Sequence, residues 1–426
     1  MARSAKNKSF AGKLLRSLGP GLITGASDDD PSGIATYSQA GAEFGLSTLW
    51  TAWVTFPLMA AIQEMCARIG LATSMGLTRV LKQYYPRWVL YLMLLFSFPA
   101  IIMNIGADIA GMGAVANLLV PRVDAAFFSV CFTILLLIFI VLFPYRKIAA
   151  VLKYLTMVLL VYLFVPFFIH TDWNAVLKHT LIPHISFNKH YLAVLVGILG
   201  TTISPYLFFW QASMEVEEIK EKQKKHATIV VASSRMYRAM ETDVNIGMFF
   251  SNLVMFFIIL TAGTVLAANG IHKIDTVEQA AEALKPLAGD LTYYLFAIGI
   301  MGTGLLAIPV LSGALSYIFS EALDLKMGLD KKFHEAKGFY IIIAIALLAG
   351  LSLNYLGISP IKALFYSAVL YGLTAPVIIV MILLICNNKT IMHSRVNGAR
   401  ANILGIATLL LMTVAAVALL YFMFTS

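Results

Sequence analysis

Three consecutive carboxylates, Asp28, Asp29 and Asp30, interrupt an apolar run that continues through Pro31, Ser32 and Gly33. Charge buried in a bilayer costs about 3 kcal/mol or more per group, so such residues need partners and mark functional sites by default. Proline and glycine free backbone carbonyls at the same depth, which is tolerated only where the backbone is buried in protein or lines a cavity. Carboxylates beside free carbonyls make an oxygen-rich environment, which suits a hard cation. A second stretch repeats the pattern: Gly197 and Gly200, then Thr201-Thr202-Ile203-Ser204-Pro205-Tyr206, again set glycines and hydroxyls before a proline. In both, a short polar side chain precedes proline, the order expected where a new helix starts with a cap and with proline at its first position. The preceding half-helix ends in free carbonyls and the negative end of its dipole, which favours a cation.

The elements that must position these residues are membrane helices. The 426 residues are 60% hydrophobic and only 12% charged, with a mean hydropathy of +0.83, which describes an all-α polytopic membrane protein. Apolar spans fall at 20–43, 46–70, 88–119, 123–143, 147–169, 190–214, 243–268, 289–322, 339–355, 359–386 and 400–424, eleven in all. Of the 31 Lys and Arg, 25 fall on one side of this arrangement and 6 on the other. That asymmetry puts the N-terminus in the cytoplasm and, after an odd number of crossings, the C-terminus outside the cell membrane. The net charge of +9 is explained by those loops and calls for no nucleic acid. Cys66, Cys131 and Cys386 lie in apolar spans and read as small hydrophobes. The first span lacks a small-residue cleavage signature, so no removable signal is expected.

Spans one and six carry the interruptions and enter from opposite sides, five helices apart. Paired broken spans are the sequence mark of an inverted-repeat transporter with its site near the midplane. The expected organisation is a cytoplasmic tail (1–18), a five-helix repeat (19–189), a second five-helix repeat (190–386), and a cytoplasmic loop with an eleventh helix (387–426).

These interruptions resemble the Nramp family of divalent metal transporters, which have a LeuT-type inverted repeat. The family's first-helix Asp-Pro-Gly-Asn stands here as Asp30-Pro31-Ser32-Gly33, and its sixth-helix Ala-x-x-Met-Pro-His as Thr201-Thr202-Ile203-Ser204-Pro205-Tyr206. Ala107-Asp108-Ile109-Ala110-Gly111 is similar to the third-helix Thr-Asp-x-Ala-Glu run. The resemblance implies a metal site in which Asp30 and the Thr201 carbonyl are kept, while the asparagine ligand becomes Gly33 and the methionine becomes Ser204. Thioether sulfur suits transition metals, whereas hydroxyl, carbonyl and water suit Mg²⁺. Loss of two side chains implies a larger site for an ion that dehydrates reluctantly. The pattern is similar to the Nramp-related magnesium transporters, prokaryotic carriers of Mg²⁺ as well as Mn²⁺. The family's sixth-helix histidines fall on Tyr206 and Gln211 and its third-helix glutamate on Gly111. Without these titrating groups, proton coupling is not expected.

Plainer roles compete at several positions. Asp30 can cap a helix as well as bind an ion. Asp28 and Asp29 can hold coordinated water or merely charge a vestibule, and Asp108 can be a structural hydrogen-bonding group or part of the pathway. Ser204 can cap a helix, Tyr206 reads as packing or a gate, and Gln211 belongs beside the pathway. Glu64 is expected to pair with Arg68 one turn on. Asn104, Thr202 and Asn252 read as interhelical links, and His170, His179, His184 and His190 as solvated loop residues. The charge run after Glu215 is expected to form a cytoplasmic helix. The partners are the lipid bilayer and the transported Mg²⁺ or Mn²⁺, with no resident cofactor, and a monomer is the default. An ordinary proton-coupled Mn²⁺/Fe²⁺ symporter is the alternative. An amino-acid symporter of the same architecture would not place an acid cluster where its substrate carboxylate docks. An intramembrane aspartyl protease would need a Gly-x-Gly-Asp run, and none occurs, so the chain does not read as an enzyme.

Overall fold

The computed structural model describes residues 19–143, 157–226 and 232–425, and among them every regular element is a helix. The tail at 1–18 and the first ten residues (147–156) of the span expected at 147–169 lie outside the described residues. In chain order, the first span is split into α1 (Pro20–Asp28) and α2 (Pro31–Phe44). They are followed by α3 (Trp50–Thr73), α4 (Leu77–Tyr84), α5 (Arg87–Leu119) and α6 (Ala125–Leu142). The sixth span is split into α7 (Lys189–Thr202) and α8 (Pro205–His226). After it come α9 (Ser234–Val265), α10 (Thr292–Ala322), α11 (Lys337–Leu353), α12 (Pro360–Asn387) and α13 (Ala399–Thr425).

Eight described segments are long and apolar enough to cross a membrane. The first span, broken by its carboxylates, and α3, which carries Glu64 and Arg68, are not among them. Helix starts follow their sequence signals. The Asp124 side chain accepts from the Ala126 amide at the start of α6, and Ser359 precedes Pro360 at the start of α12. The charge run after Glu215 does not form a helix of its own but extends α8 to His226, with Lys220–Glu217 and Lys222–Glu218 paired along it at 3.3 and 2.6 Å. Glu64 and Arg68 do not pair along α3. Glu64 accepts a hydrogen bond from Asn245, and Arg68 donates to Asn397 Oδ1 at 3.0 Å. Both side chains find partners elsewhere in the fold, Asn245 on α9 and Asn397 in the loop before α13, each partly buried.

Glycines set the closest helix contacts, as expected where lipid supplies no hydrophobic force between helices. A Cβ on Gly25 of α1 would stand 2.3 Å from the Gly247 carbonyl of α9, and one on Gly41 of α2 would stand 2.4 Å from that of Ile259. Gly70 of α3 meets the Ala212 carbonyl of α8 at 2.4 Å in the same sense, and Gly106 of α5 meets that of Gly350 on α11 at 2.6 Å. These contacts join α1 and α2 to α9, α3 to α8, and α5 to α11 through backbone. Asp243 of α9 adds a polar tie, accepting from the Gly19 and Gly21 amides at 3.1 and 2.7 Å. The amphipathic α4 docks on the end of α10, where Glu321 accepts from the Arg79 amide at 3.1 Å. Lys82 donates to the Ala322 carbonyl at 2.9 Å and to Asp324, and that hydrogen bond holds the Asp324 carboxyl below its ordinary range.

We expect Gly25→Leu to force α1 off α9 and to cost about 1–3 kcal/mol. Thermal unfolding in detergent reads this as a lowered Tm, with Gly25→Ala intermediate.

Candidate cation site

Both breaks have the same local construction. After α1, Asp29 leaves the helical region at φ −80°, ψ 55°, and after α7, Ile203 does so at φ −109°, ψ 61°. One further residue, Asp30 or Ser204, then precedes the proline that opens the second half-helix. Asp30 is a true cap, its Oδ1 accepting from the Gly33 amide at 2.7 Å. Ser204 is not used in that way. Its hydroxyl turns back onto the end of α7, lying 2.5 Å from the Thr201 carbonyl and 3.2 Å from that of Gly200. A hydroxyl can donate where a carboxylate cannot, so it satisfies the carbonyls that the break sets free.

The carboxylates point in different directions. Ser251 of α9 donates to Asp28 Oδ2 at 2.7 Å and lies 3.4 Å from Asp29 Oδ1. Asp30 Oδ2 instead accepts from Asn104 of α5 at 2.8 Å. Asp108 lies one turn further along α5, near the Ser32 amide, yet neither of its oxygens makes a well-aligned hydrogen bond; Asp28 Oδ1 is likewise without one. All four acids are buried, at 0, 5, 2 and 0% exposure for Asp28, Asp29, Asp30 and Asp108. Among the described residues no Lys, Arg or His forms an ion pair with any of them. An isolated buried carboxylate costs several kcal/mol unless it takes a proton or a cation. Among the described residues, no three acidic, histidine or cysteine side chains converge as a ready-made metal cage.

The two breaks are tied to each other. Tyr206, the second residue of α8, donates to the Ser27 carbonyl of α1 at 2.9 Å while its ring lies 5.6 Å from that of Tyr371. Tyr37 of α2 and Thr202 of α7 exchange a hydrogen bond at 3.1 Å, and Thr202 also lies 3.6 Å from the Met255 sulfur. Gln211 continues the seam away from the break. Its Oε1 is 2.5 Å from the Thr24 hydroxyl, and its Nε2 donates to Glu215 at 3.0 Å. Beyond it a cavity of about 260 Å³ opens beside Gly19, Glu215, Glu218, Lys222, Arg235 and Asp243. The chain of polar groups from Thr24 through Gln211 to Glu215 was not legible as a unit, because residues 187 apart in sequence come together only once both spans are split.

A family model described as Natural resistance-associated macrophage protein-like (Nramp) matches residues 21–422. The chain belongs to the Nramp family. It is 25% identical over 397 residues to the divalent metal cation transporter MntH of Caldanaerobacter subterraneus subsp. tengcongensis, covering 92% of this chain and 90% of that one. It is 24% identical over 419 residues to MntH of Clostridium acetobutylicum, covering 97% and 92%. A crystal structure of the Eremococcus coleocola manganese transporter, bound to an aromatic bis-isothiourea compound, superposes with a TM-score of 0.75 at 19% identity, over 97% of this chain and 88% of that one. MhsT in complex with L-phenylalanine superposes at 0.60 with 12% identity, over 96% and 98%. These likenesses establish a LeuT-like helical fold for this Nramp chain.

At the Nramp motif positions the structure qualifies one expectation. The space left by a side chain at position 33 is not open: a Cβ on Gly33 would be 3.2 Å from Thr201 Oγ1 and 3.4 Å from the Tyr37 ring. The Thr201 side chain at the end of α7 stands against it. At Gly111, a Cβ would meet Leu364 at 3.1 Å, an apolar neighbour. The loop histidines do not gather: His170, His184 and His190 are exposed, and among the described residues none joins a metal-binding group. Thr202 and Asn252 do link helices, Asn252 accepting from Thr55 of α3 at 2.8 Å.

Tyr206→Phe keeps the ring and leaves the buried Ser27 carbonyl without its donor, at a cost of about 1–3 kcal/mol. Hydrogen exchange at the C-terminal end of α1 should accelerate; exchange equal to wild type would show that the bond does not hold the two breaks together.

Proposed function

We propose that this Nramp-family divalent metal cation transporter imports Mg²⁺, with Mn²⁺ as a second cation, carrying the ion partly hydrated by alternating access and without proton coupling. The observation that supports it is the set of four buried aspartates around two helix breaks, with no basic side chain paired to them among the described residues. A divalent cation supplies the missing charge. The groups at the breaks are carboxylate, hydroxyl and carbonyl oxygens, which suit Mg²⁺ better than they suit softer metals.

In this reading Asp30 is the direct ligand, with the Thr201 carbonyl and Ser204 beside it and Gly33 allowing close approach of the backbone. Asp28 and Asp29 hold water on the ion. Few protein ligands then enter the coordination shell, in keeping with an ion that usually keeps several waters. Asp108, Tyr206 and Gln211 line the route. The N-terminus is cytoplasmic, and eleven spans form two five-helix repeats (19–189 and 190–386) followed by the last helix, in a monomer. The names of the curated relatives, divalent metal cation transporters, agree with the substrate class.

Because the acids are buried, the ion reaches them only after helices separate. On the side where α1 begins, the contacts to be broken are Tyr206–Ser27 and Thr24–Gln211. On the other side stands Tyr37–Thr202. Each hydrogen bond contributes about 0.5–1.5 kcal/mol net, so either gate opens for a few kcal/mol, within reach of ion binding.

A second reading, the proton-coupled Mn²⁺/Fe²⁺ symporter, is favoured by Asp108, a buried carboxylate with no well-aligned hydrogen bond that is free to carry a proton. Proteoliposomes separate the two. We expect saturable Mg²⁺ and Mn²⁺ uptake, little Ca²⁺ uptake, no internal acidification, and loss of uptake in Asp30→Ala. Mn²⁺ uptake with matching acidification and no Mg²⁺ flux would establish the symporter instead.

A further inference from the structure

Asn104 is fully buried on α5, one turn before Asp108. Its Nδ2 donates to Asp30 Oδ2 at 2.8 Å, and its Oδ1 accepts from Ser367 Oγ of α12 at 2.8 Å. An ionised carboxylate only accepts, so the amino side of the amide must face Asp30 and the carbonyl side must face the serine. Ser367 Oγ is also 2.7 Å from the Leu364 carbonyl, so its single proton is divided between two acceptors.

Each oxygen of Asp30 thus carries one well-aligned hydrogen bond, with Ser32 of α2 also close by, but the two bonds differ in origin. The Gly33 amide belongs to α2 and moves with Asp30. Asn104 belongs to α5, which the glycine contacts weld to α11, whereas α1 and α2 are welded to α9. The Asn104 bond therefore crosses between two separately welded groups of helices, and among the described residues it is the hydrogen bond that sets the rotation of the Asp30 carboxylate relative to α5.

We infer that Asn104 is a positioning residue for the transported cation: it orients the lone pairs that Asp30 offers, and Ser367 orients Asn104. This rests on the reading of Asp30 as ligand. A hydrogen bond to a charged group is stronger than one between neutral groups, so loss of the amide weakens the hold on the cation by about tenfold or more. Loss of the serine hydroxyl acts only through the amide and costs less.

The test uses full-length protein. Mn²⁺ binding to purified protein is measured by calorimetry, and KM and maximal rate are measured in proteoliposomes for Asp30→Ala, Asn104→Ala, Ser367→Ala and the double variant of the last two. Expected are a KM raised about tenfold or more in Asn104→Ala with the maximal rate near wild type, a smaller rise in Ser367→Ala, and a double variant no worse than Asn104→Ala alone. Should Asn104→Ala fail to fold, Ser367→Ala and Asn104→Asp, which keeps the shape but loses the amide donor, carry the test. Independent, additive effects would overturn the proposal, as would an unchanged KM with only a lowered rate or Tm. If Asp30→Ala still binds Mn²⁺ normally, the reading of Asp30 as ligand falls first; if it loses binding while Asn104→Ala keeps it, the positioning role alone falls.

Discussion

Four carboxylates buried in a helix bundle, without a basic partner among the described residues, form the constraint to which the rest of this structure answers. Hydrocarbon cannot stabilise them, so each must find donors within the protein or charge from outside it. The first span provides some of those donors by breaking: Asp30 captures the Gly33 amide only because α2 begins there. Neighbouring helices provide the others, Ser251 from α9 and Asn104 from α5. Among the described residues, Asp28 Oδ1 and both oxygens of Asp108 are left without a well-aligned hydrogen bond.

The same constraint divides the molecule mechanically. Where helices meet through glycine, backbone lies against backbone and any side chain would collide, as at Gly25 with Gly247 or Gly106 with Gly350. Where α1 and α2 meet α5, α7 and α8, the ties at the breaks are single hydrogen bonds from Asn104, Thr202, Tyr206 and Gln211. Close packing resists change and is lost all at once, whereas isolated polar ties exchange for water at little cost. In the alternating access proposed above, the glycine-packed groups would stay intact and these polar ties would be the contacts that change.

Much of this was legible in the sequence. Proline after Asp30 and after Ser204 marked both breaks to the residue, and the cap at Asp30 followed from residue type and position. The burial of Asp28 and Asp108 followed from their apolar surroundings. The errors share one physical origin: spacing along a helix does not reveal a neighbour on another helix. Glu64 and Arg68 had the right separation for a pair, but Asn245 and Asn397 were nearer in space. Ser204 had the position of a cap, yet the carbonyls ending α7 claimed its hydroxyl. Gly33 lacked a side chain, yet Thr201 and Tyr37 stand close against it and leave no open space there. Asn104 read as glue between helices; that its amide holds the central carboxylate depends on the approach of α5, which no local pattern encodes.

The central claim is that the ion is held by few protein oxygens and keeps most of its water. Electron–nuclear double resonance on Mn²⁺ bound to the purified protein counts the protons of coordinated water directly. About four or more water ligands of six are expected, as for an ion that usually keeps several waters, and no nitrogen coupling. A bound Mn²⁺ with one water or none, or with a directly coordinated nitrogen, would contradict it.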